Sequence, residues 1–495
     1  MRRDRTMKPA KHSTATKLQQ PATGLKQLAR NFTFAAFLAL PVSGLAETLT
    51  EIYDLALNND PQLRAANAAY LAGRESANIG RAGLLPQIAA SAEYSEVDSD
   101  ESSSSVFVLD GLEVNSGTRG DGDADQTQFG ISIEQPLFNL PAWYDYKQGK
   151  TVSEQARLSF AAAQQELIIR VTDAYFNVLR ASENLTSAIA EQQAIGRQLE
   201  QTRQRYEVGL LPITDVHEAQ AAFDDASVNT LVLEGGLRVA FEGLEVLTGQ
   251  PHGQLAGLAG NFPVLPPDAS REEWVQVALA NNLQLKISQQ GRDAARDNAD
   301  ARKMEHLPTI TGAYSYADTD FDKEFQGQNL LGSPINTPSS SDDQTHAISV
   351  RLNVPIFTGG LVSAQRRQAY QQYAQADETA SYMLRNTTQQ ARTAHLNVIT
   401  AAATVKALAQ SIKSAESALE ATRAGYEVGT RNIVDVLFAE RNLHQAQRNY
   451  ANARYDYISS SLNLKLVAGQ LSPDDLYQLN AWVDPRKVIA PIIVQ

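Results

Sequence analysis

The sequence predicts a mixed helix and strand membrane protein built from two tandem copies of one unit. Three observations predict it. Blocks of sequence recur in the same order at a nearly constant offset. Short runs alternate apolar and polar residues with period two. Proline-free stretches of some 65 residues carry apolar positions with a period of 3.5. The composition is otherwise that of an ordinary water-soluble chain: 495 residues, 43% hydrophobic, 20% charged, net charge −13 and no cysteine. The acidic balance argues against a nucleic-acid binder, which needs a basic face. The missing cysteines exclude disulfides, thiolate metal sites, Cys nucleophiles and a lipid anchor on an N-terminal cysteine. No run of about 20 apolar residues exists to make a transmembrane helix.

Residues 1–46 read as a signal peptide. Arg2, Arg3, Arg5, Lys8, Lys11, Lys17, Lys26 and Arg30 face one acid, Asp4, and are followed by the apolar segment 32–42. Gly44 and Ala46 then stand at the −3 and −1 positions of a small-residue cleavage site. Met7 is a second candidate start. Cleavage removes eight cations and one carboxylate and leaves an exported chain of net charge −20.

The repeat is long. Tyr206-Glu-Val-Gly-Leu-Leu-Pro-Ile-Thr-Asp-Val216 returns as Tyr426-Glu-Val-Gly-Thr-Arg-Asn-Ile-Val-Asp-Val436, and Ala174-Tyr-Phe-Asn-Val178 as Ala394-His-Leu-Asn-Val398, both at an offset of 220. Leu85-Pro-Gln-Ile88 returns as Leu307-Pro-Thr-Ile310 and Pro136-Leu-Phe138 as Pro355-Ile-Phe357. The expected division is repeat 1 over 47–268, repeat 2 over 269–480 and a C-terminal tail over 481–495.

Each repeat opens with a helix and continues with two strands. Ile88, Ala90, Ala92 and Tyr94 share one face, as do Phe129, Ile131 and Ile133; repeat 2 has Ile310, Tyr314 and Tyr316, then Ile348, Val350, Leu352, Val354 and Ile356. In a sandwich such faces pack inward, and in an outer-membrane barrel they meet lipid; alternation alone does not choose. Polar loops are expected between the strands, at about 98–125 and 318–343. A rod follows over about 141–208. Its seam runs Leu167, Val171, Ala174, Val178, Ala181, Leu185, Ala188, Gln192, Ile195, Leu199, Thr202 and Tyr206, and repeat 2 keeps the register from Ala391 to Tyr426. At 1.5 Å per residue such a rod is about 100 Å long. Gly209 and Gly429 stop the rods, Pro212 follows the first, and return helices are expected over about 213–248 and 433–468. Four strands do not close a barrel, so several copies must share one sheet.

These residues resemble the TolC family of trimeric outer-membrane efflux ducts. The resemblance is carried by Tyr175-Phe-Asn-Val178, Arg205-Tyr-Glu-Val-Gly-Leu210 with Ile213-Thr-Asp-Val216, and Gly425 through Leu437, with Ala451-Asn-Ala-Arg-Tyr-Asp-Tyr457 in support. It covers essentially all of 47–480. It implies a mixed α/β membrane protein whose two repeats give four strands of a shared trimeric outer-membrane β-barrel of twelve strands. Long coiled-coil helices then form a periplasmic α-barrel. It implies a homotrimer embedded in outer-membrane lipid of a Gram-negative bacterium, docked to a periplasmic adaptor (membrane fusion) protein and an inner-membrane transporter. The duct passively exports drugs, small molecules or secreted proteins.

By the same resemblance the periplasmic gate comprises Thr214 and Asp215 on the first hairpin and Tyr426 and Arg431 on the second. Asp435 makes an acidic ring at the constriction. The family's namesake carries a second acid three positions on; here that position is Phe438, which puts strong cation selectivity in doubt. The adaptor-docking tips correspond to Gly209 and Leu210, and to Gly429 and Thr430. Read without the resemblance, Asp215 caps a helix and the tyrosines end a packing seam. Seven histidines form no ligand spacing and no phosphate loop occurs, so no catalytic, metal or cofactor residue is assigned. The rods alone would also suit a surface adhesin or coiled-coil spacer.

Overall fold

A computed structural model describes residues 46–329 and 332–491. The expected signal peptide lies outside the described residues, apart from Ala46. The fold reads twice through the same order. Repeat 1 has α1 (Leu49–Asn59), α2 (Pro61–Arg74), α3 (Ser76–Ala82), β1 (Gln87–Leu109), β2 (Leu112–Phe138), α4 (Leu140–Glu207) and α5 (Ile213–Thr248). A short strand β3 (Leu255–Leu258) follows. Repeat 2 has α6 (Arg271–Asn281), α7 (Leu283–Met304), β4 (Thr309–Asn329), β5 (Pro334–Asn353), α8 (Leu361–Glu427) and α9 (Ile433–Val467). The chain ends on α10 (Pro473–Asn480) and β6 (Val483–Ile489). No described helix is long and apolar enough to cross a membrane.

The four long strands form one antiparallel sheet in the order β1-β2-β4-β5. The expected polar loops are a correction: 98–125 and 318–343 lie mostly within the strands. Ser99 to Leu109 stay in register with Gly122 to Leu112. The first hairpin turns only at Asp110 (φ 49°) and Gly111 (φ 77°), the left-handed pair that a two-residue hairpin loop demands. Polar composition marked where the sheet leaves the apolar zone, not where pairing stops. The second correction is at Pro355. Pro136 sits at an irregularity of β2, between Pro136 and Phe138, whereas β5 ends at Asn353 and leaves Val354 and Ile356 outside the strand. The strands present a row of exposed apolar side chains, including Ile88 (71%), Val350 (69%) and Ile348 (85%).

The first helix of each repeat is broken, which the sequence reading did not foresee. Asp60 ends α1 and caps α2, accepting from the Leu63 amide at 2.9 Å. Asn282 does the same for α7 through Leu285 at 2.8 Å. Asp60 is buried and also meets the Arg170 guanidinium at 2.6 Å. Burial by itself raises this carboxyl; the guanidinium and the Leu63 and Gln62 amides reverse that and hold it below its ordinary value.

β3 and β6 pair antiparallel and lie with α1 and α10 against the middle of the rods. This ties the expected tail back onto repeat 1. The largest core is here, with Leu167, Val171, Tyr175, Phe176, Val178, Leu244 and Tyr455. Tyr175 donates from its hydroxyl to the Ala256 carbonyl of β3 at 2.6 Å, so its side of α4 is the covered one. A layer across the rods has to lie outside any bore that they enclose.

Above this layer the helices approach closely through small residues. A Cβ on Gly149 of α4 would meet the Ser76 carbonyl oxygen at 2.3 Å, and one on Gly80 of α3 the Asp145 carbonyl oxygen at 2.9 Å.

Candidate functional site

Both hairpins turn by the same backbone device. Gly209 (φ 78°) donates to the Tyr206 carbonyl at 2.8 Å, and Leu210 to the Arg205 carbonyl at 2.9 Å. Gly429 (φ 78°) donates to Tyr426 at 3.1 Å, and Thr430 to Gly425 at 2.8 Å. This paired bonding satisfies the last carbonyls of a helix and needs a left-handed residue, hence glycine. It leaves Val208, Leu210 and Val428 more than two-thirds exposed, at 70%, 72% and 75%. The tips therefore offer apolar side chains on a rigid turn to the surroundings.

Behind the turns the two hairpins share a small core. Ile195 and Leu199 of α4, Ala219 and Ala226 of α5, and Ile433 and Leu437 of α9 form it, with Tyr426 partly buried against it. The Arg205 guanidinium lies over the Tyr426 ring at 5.3 Å, joining first hairpin to second. The Tyr426 hydroxyl is buried and has no hydrogen-bond partner.

Arg431 folds back over Gly425, where a Cβ would meet its Cγ at 2.8 Å. The residue equivalent to Gly425 in repeat 1 is Arg205. The first hairpin thus carries its cation on the helix and the second on the turn. The carboxylate beside Arg431 is Asp435, at 3.8 Å on the same helix end. Asp435 also closes a capping box. Its amide donates to Asn432 Oδ1 at 2.8 Å, and its Oδ2 accepts from the Asn432 amide at 3.3 Å. The Thr214 hydroxyl donates to its neighbour Asp215 at 3.4 Å. α5 has no side-chain cap, so the capping role read for Asp215 falls to Asn432 and Asp435 on the other hairpin. Among the described residues no hydrogen bond or ion pair joins Thr214 or Asp215 to Tyr426 or Arg431. Phe438 is 63% exposed.

Polar groups between the hairpins were missed in the sequence. Arg448 of α9 bonds Glu191 of α4 at 2.6 Å with both side chains largely buried. Glu440 is buried and bonded to Arg423 across the second hairpin. Its carboxylate is taken up by Arg423. The repeat offset finds this pair, because Arg203 bonds Gln220 at the equivalent positions of the first hairpin. One turn on, His444 is buried, 4.0 Å from Glu440. Burial dominates over the nearby Glu191 and Glu440 and pushes its pKa down. No group of three or more His, Cys, Asp or Glu suited to a metal occurs among the described residues.

The outer membrane efflux protein family model matches the chain twice, over residues 52–250 and 274–470. The outer membrane protein TolC of Vibrio cholerae is 37% identical over 94% of this chain and 100% of its own length. The protease secretion protein PrtF of Dickeya chrysanthemi is 31% identical over 90% of this chain and 93% of its own. Among solved structures, VceC of Vibrio cholerae aligns with a TM-score of 0.68 at 18% identity, over 85% of this chain and 96% of that one. The CmeC channel of Campylobacter jejuni aligns at 0.66 and 16%, over 88% and 90%. These two share the fold. With an open sheet of two-faced strands, rods ending in glycine turns, and a sequence match over nearly its whole length, this chain belongs to the outer membrane efflux protein family, the TolC-like channels of the outer membrane.

Proposed function

We propose that three copies of this chain close a twelve-stranded barrel and a continuous helical duct, a passive conduit with no catalysis of its own. The hairpin tips gate it and dock a periplasmic adaptor, which hands over substrate from an inner-membrane transporter. The observation that carries this reading is one continuous piece of chain. A lipid-compatible sheet with both edges open runs directly into helices about 100 Å long that end in exposed apolar turns. Relatives are named for outer membrane efflux and for protease secretion, so the cargo classes offered to this duct are drugs, other small molecules and secreted proteins. The exposed apolar strand faces weigh against a spacer in water.

The gate assigned here is Thr214, Asp215, Tyr426, Arg431, Asp435 and Phe438. Within one chain Arg431 and Asp435 brace the second tip. The unpartnered Tyr426 hydroxyl and the free edge of Asp215 supply donors and acceptors for contacts between copies. Replacing Arg431 with Ser removes the brace over Gly425, and planar-bilayer conductance is expected to rise severalfold. Unchanged conductance overturns the gate assignment. Docking is tested by crosslinking from Leu210→Cys or Thr430→Cys. Gly429 is the wrong position because its φ of 78° strains any side chain.

A further inference from the structure

A basic cavity of about 540 Å³ opens between the upper ends of α7 and α8. Its charged and aromatic wall is Arg296, Lys303, Arg366, Arg367, Tyr370 and Tyr373, with Asp300 the one acid. In a chain of net charge −13 this is an unusual concentration of cations. None of the four has a carboxylate within ion-pair distance among the described residues, although those residues form fourteen pairs of Arg or Lys with a carboxylate elsewhere.

Its place in the fold says what reaches it. Lys303 is the penultimate residue of α7, and Arg366 lies about 8 Å along α8 from its start. Four residues separate α7 from β4 and seven separate β5 from α8, so the top of the cavity falls near the level of the headgroups, a zone about 5–7 Å deep on each side of the hydrocarbon. The cavity also lies on the outer side. Seven-residue steps down α8 hold one face of a supercoiled helix. From Arg367 they reach His395, which is 3.2 Å from the Ala269 carbonyl just before α6, the repeat-2 counterpart of α1 in the layer outside the rods. From Tyr370 they reach Ala391, which is buried against Val275 and Ala278 of α6. On α4, steps up from Tyr175 itself pass Glu154 and reach Lys147, which lies over the Tyr144 ring at 4.8 Å. Lys150 lies over the Tyr146 ring at 5.8 Å, and Trp143 is 46% exposed. Aromatic and basic residues together are the chemistry of a membrane interface. Arg302 turns the other way, to a cavity lined by Asp145, Gln148 and Val152.

We propose that the α7–α8 cavity binds the headgroup of an anionic glycerophospholipid from the periplasmic leaflet, with phosphatidylglycerol the best fit. Guanidinium groups bond phosphate oxygens in pairs. The tyrosine hydroxyls donate to further oxygens, and Asp300 accepts from the glycerol hydroxyls. Such a lipid fastens the top of α7 to α8, just where the aqueous helices meet the barrel.

The test uses the full chain as purified from membranes, delipidated and returned to micelles doped with phosphatidylglycerol, phosphatidylethanolamine or phosphatidylcholine. Bound lipid is counted by native mass spectrometry. Phosphatidylglycerol is expected to be retained preferentially. In the variant Lys303→Gln, Arg366→Gln, Arg367→Gln that preference falls about tenfold, while Lys406→Gln with Lys413→Gln leaves it intact. Equal retention of the three lipids, or a preference unchanged in the triple variant, overturns the proposal. Displacement by millimolar inorganic phosphate overturns it too, in favour of a soluble-phosphate site. Bilayer conductance of the triple variant separates this outcome from failure of the duct itself. Should the variant not assemble, Arg367→Gln alone carries the comparison, with a smaller loss expected.

Discussion

Asp435 illustrates how one carboxylate serves local structure and, in the gate proposed above, the bore at once. It caps α9 through Asn432 and balances Arg431, yet its side chain stays 39% exposed. In the threefold assembly proposed above three copies would meet at one level of the bore, and an acidic ring favours cations. Asp435→Asn keeps the cap acceptor and removes the charge. Cation preference in reversal-potential measurements is expected to fall; an unaltered preference removes the ring from the mechanism. His444 makes a second prediction at this scale. Its pKa is pushed down by burial and by Arg448, against the opposing pull of Glu191, Glu440 and the Gln447 side chain, with the Ser187 hydroxyl on its own carbonyl. The unfolded chain takes up a proton at a higher pH than the folded chain does. The contribution of this site is therefore complete above the ordinary value of 6.5 and is lost as pH falls below it. Unfolding measured between pH 8 and pH 5 is expected to show falling stability. That slope is expected to flatten in His444→Gln.

At the scale of elements the rods were the most legible part. A seam predicted from Leu167 to Tyr206 is buried at Leu167, Val171, Val178, Leu185, Ala188, Ile195, Leu199 and Thr202. The helix bounds follow the proline and glycine signals to within a residue or two. A period maintained over about eleven turns is hard to mistake. The strands were underestimated because register extends beyond the apolar zone, held by backbone pairing that polar side chains do not oppose. The Asp110-Gly111 turn was the missed signal. The close approach of α3 to α4 was invisible, because glycine reports freedom from a side chain and not which backbone takes the space. Gly149→Val forces a methyl against the Ser76 carbonyl and is expected to cost about 2 kcal/mol of stability, read as a shift in thermal midpoint. Gly235→Ala, with open space around its Cβ position, is the control and should be neutral or mildly stabilising.

For the whole molecule the decisive fact is an unfinished sheet. β1 and β5 are its edges, β5 is exposed along almost all its length, and each unpaired backbone group left in lipid costs several kcal/mol. A second copy has to supply the partner strand. The chain has no cysteine of its own, which makes the test clean. Ala90→Cys on β1, combined in turn with cysteines from His346 to Leu352 on β5, is expected to give disulfides between chains and none within a chain. Bridges confined to single chains would mean that the sheet closes on itself. By itself the sequence determined the duplication, the rods, their glycine turns and the two-faced strands. All four follow from periodicity and from backbone demands felt within a few residues. Tertiary structure alone decided the β3–β6 layer over the rods, the pairing of Glu191 with Arg448, and the gathering of Arg296, Lys303, Arg366 and Arg367 into one cavity. Those partners are separated by up to a few hundred residues, and no local pattern in one segment carries the position of another.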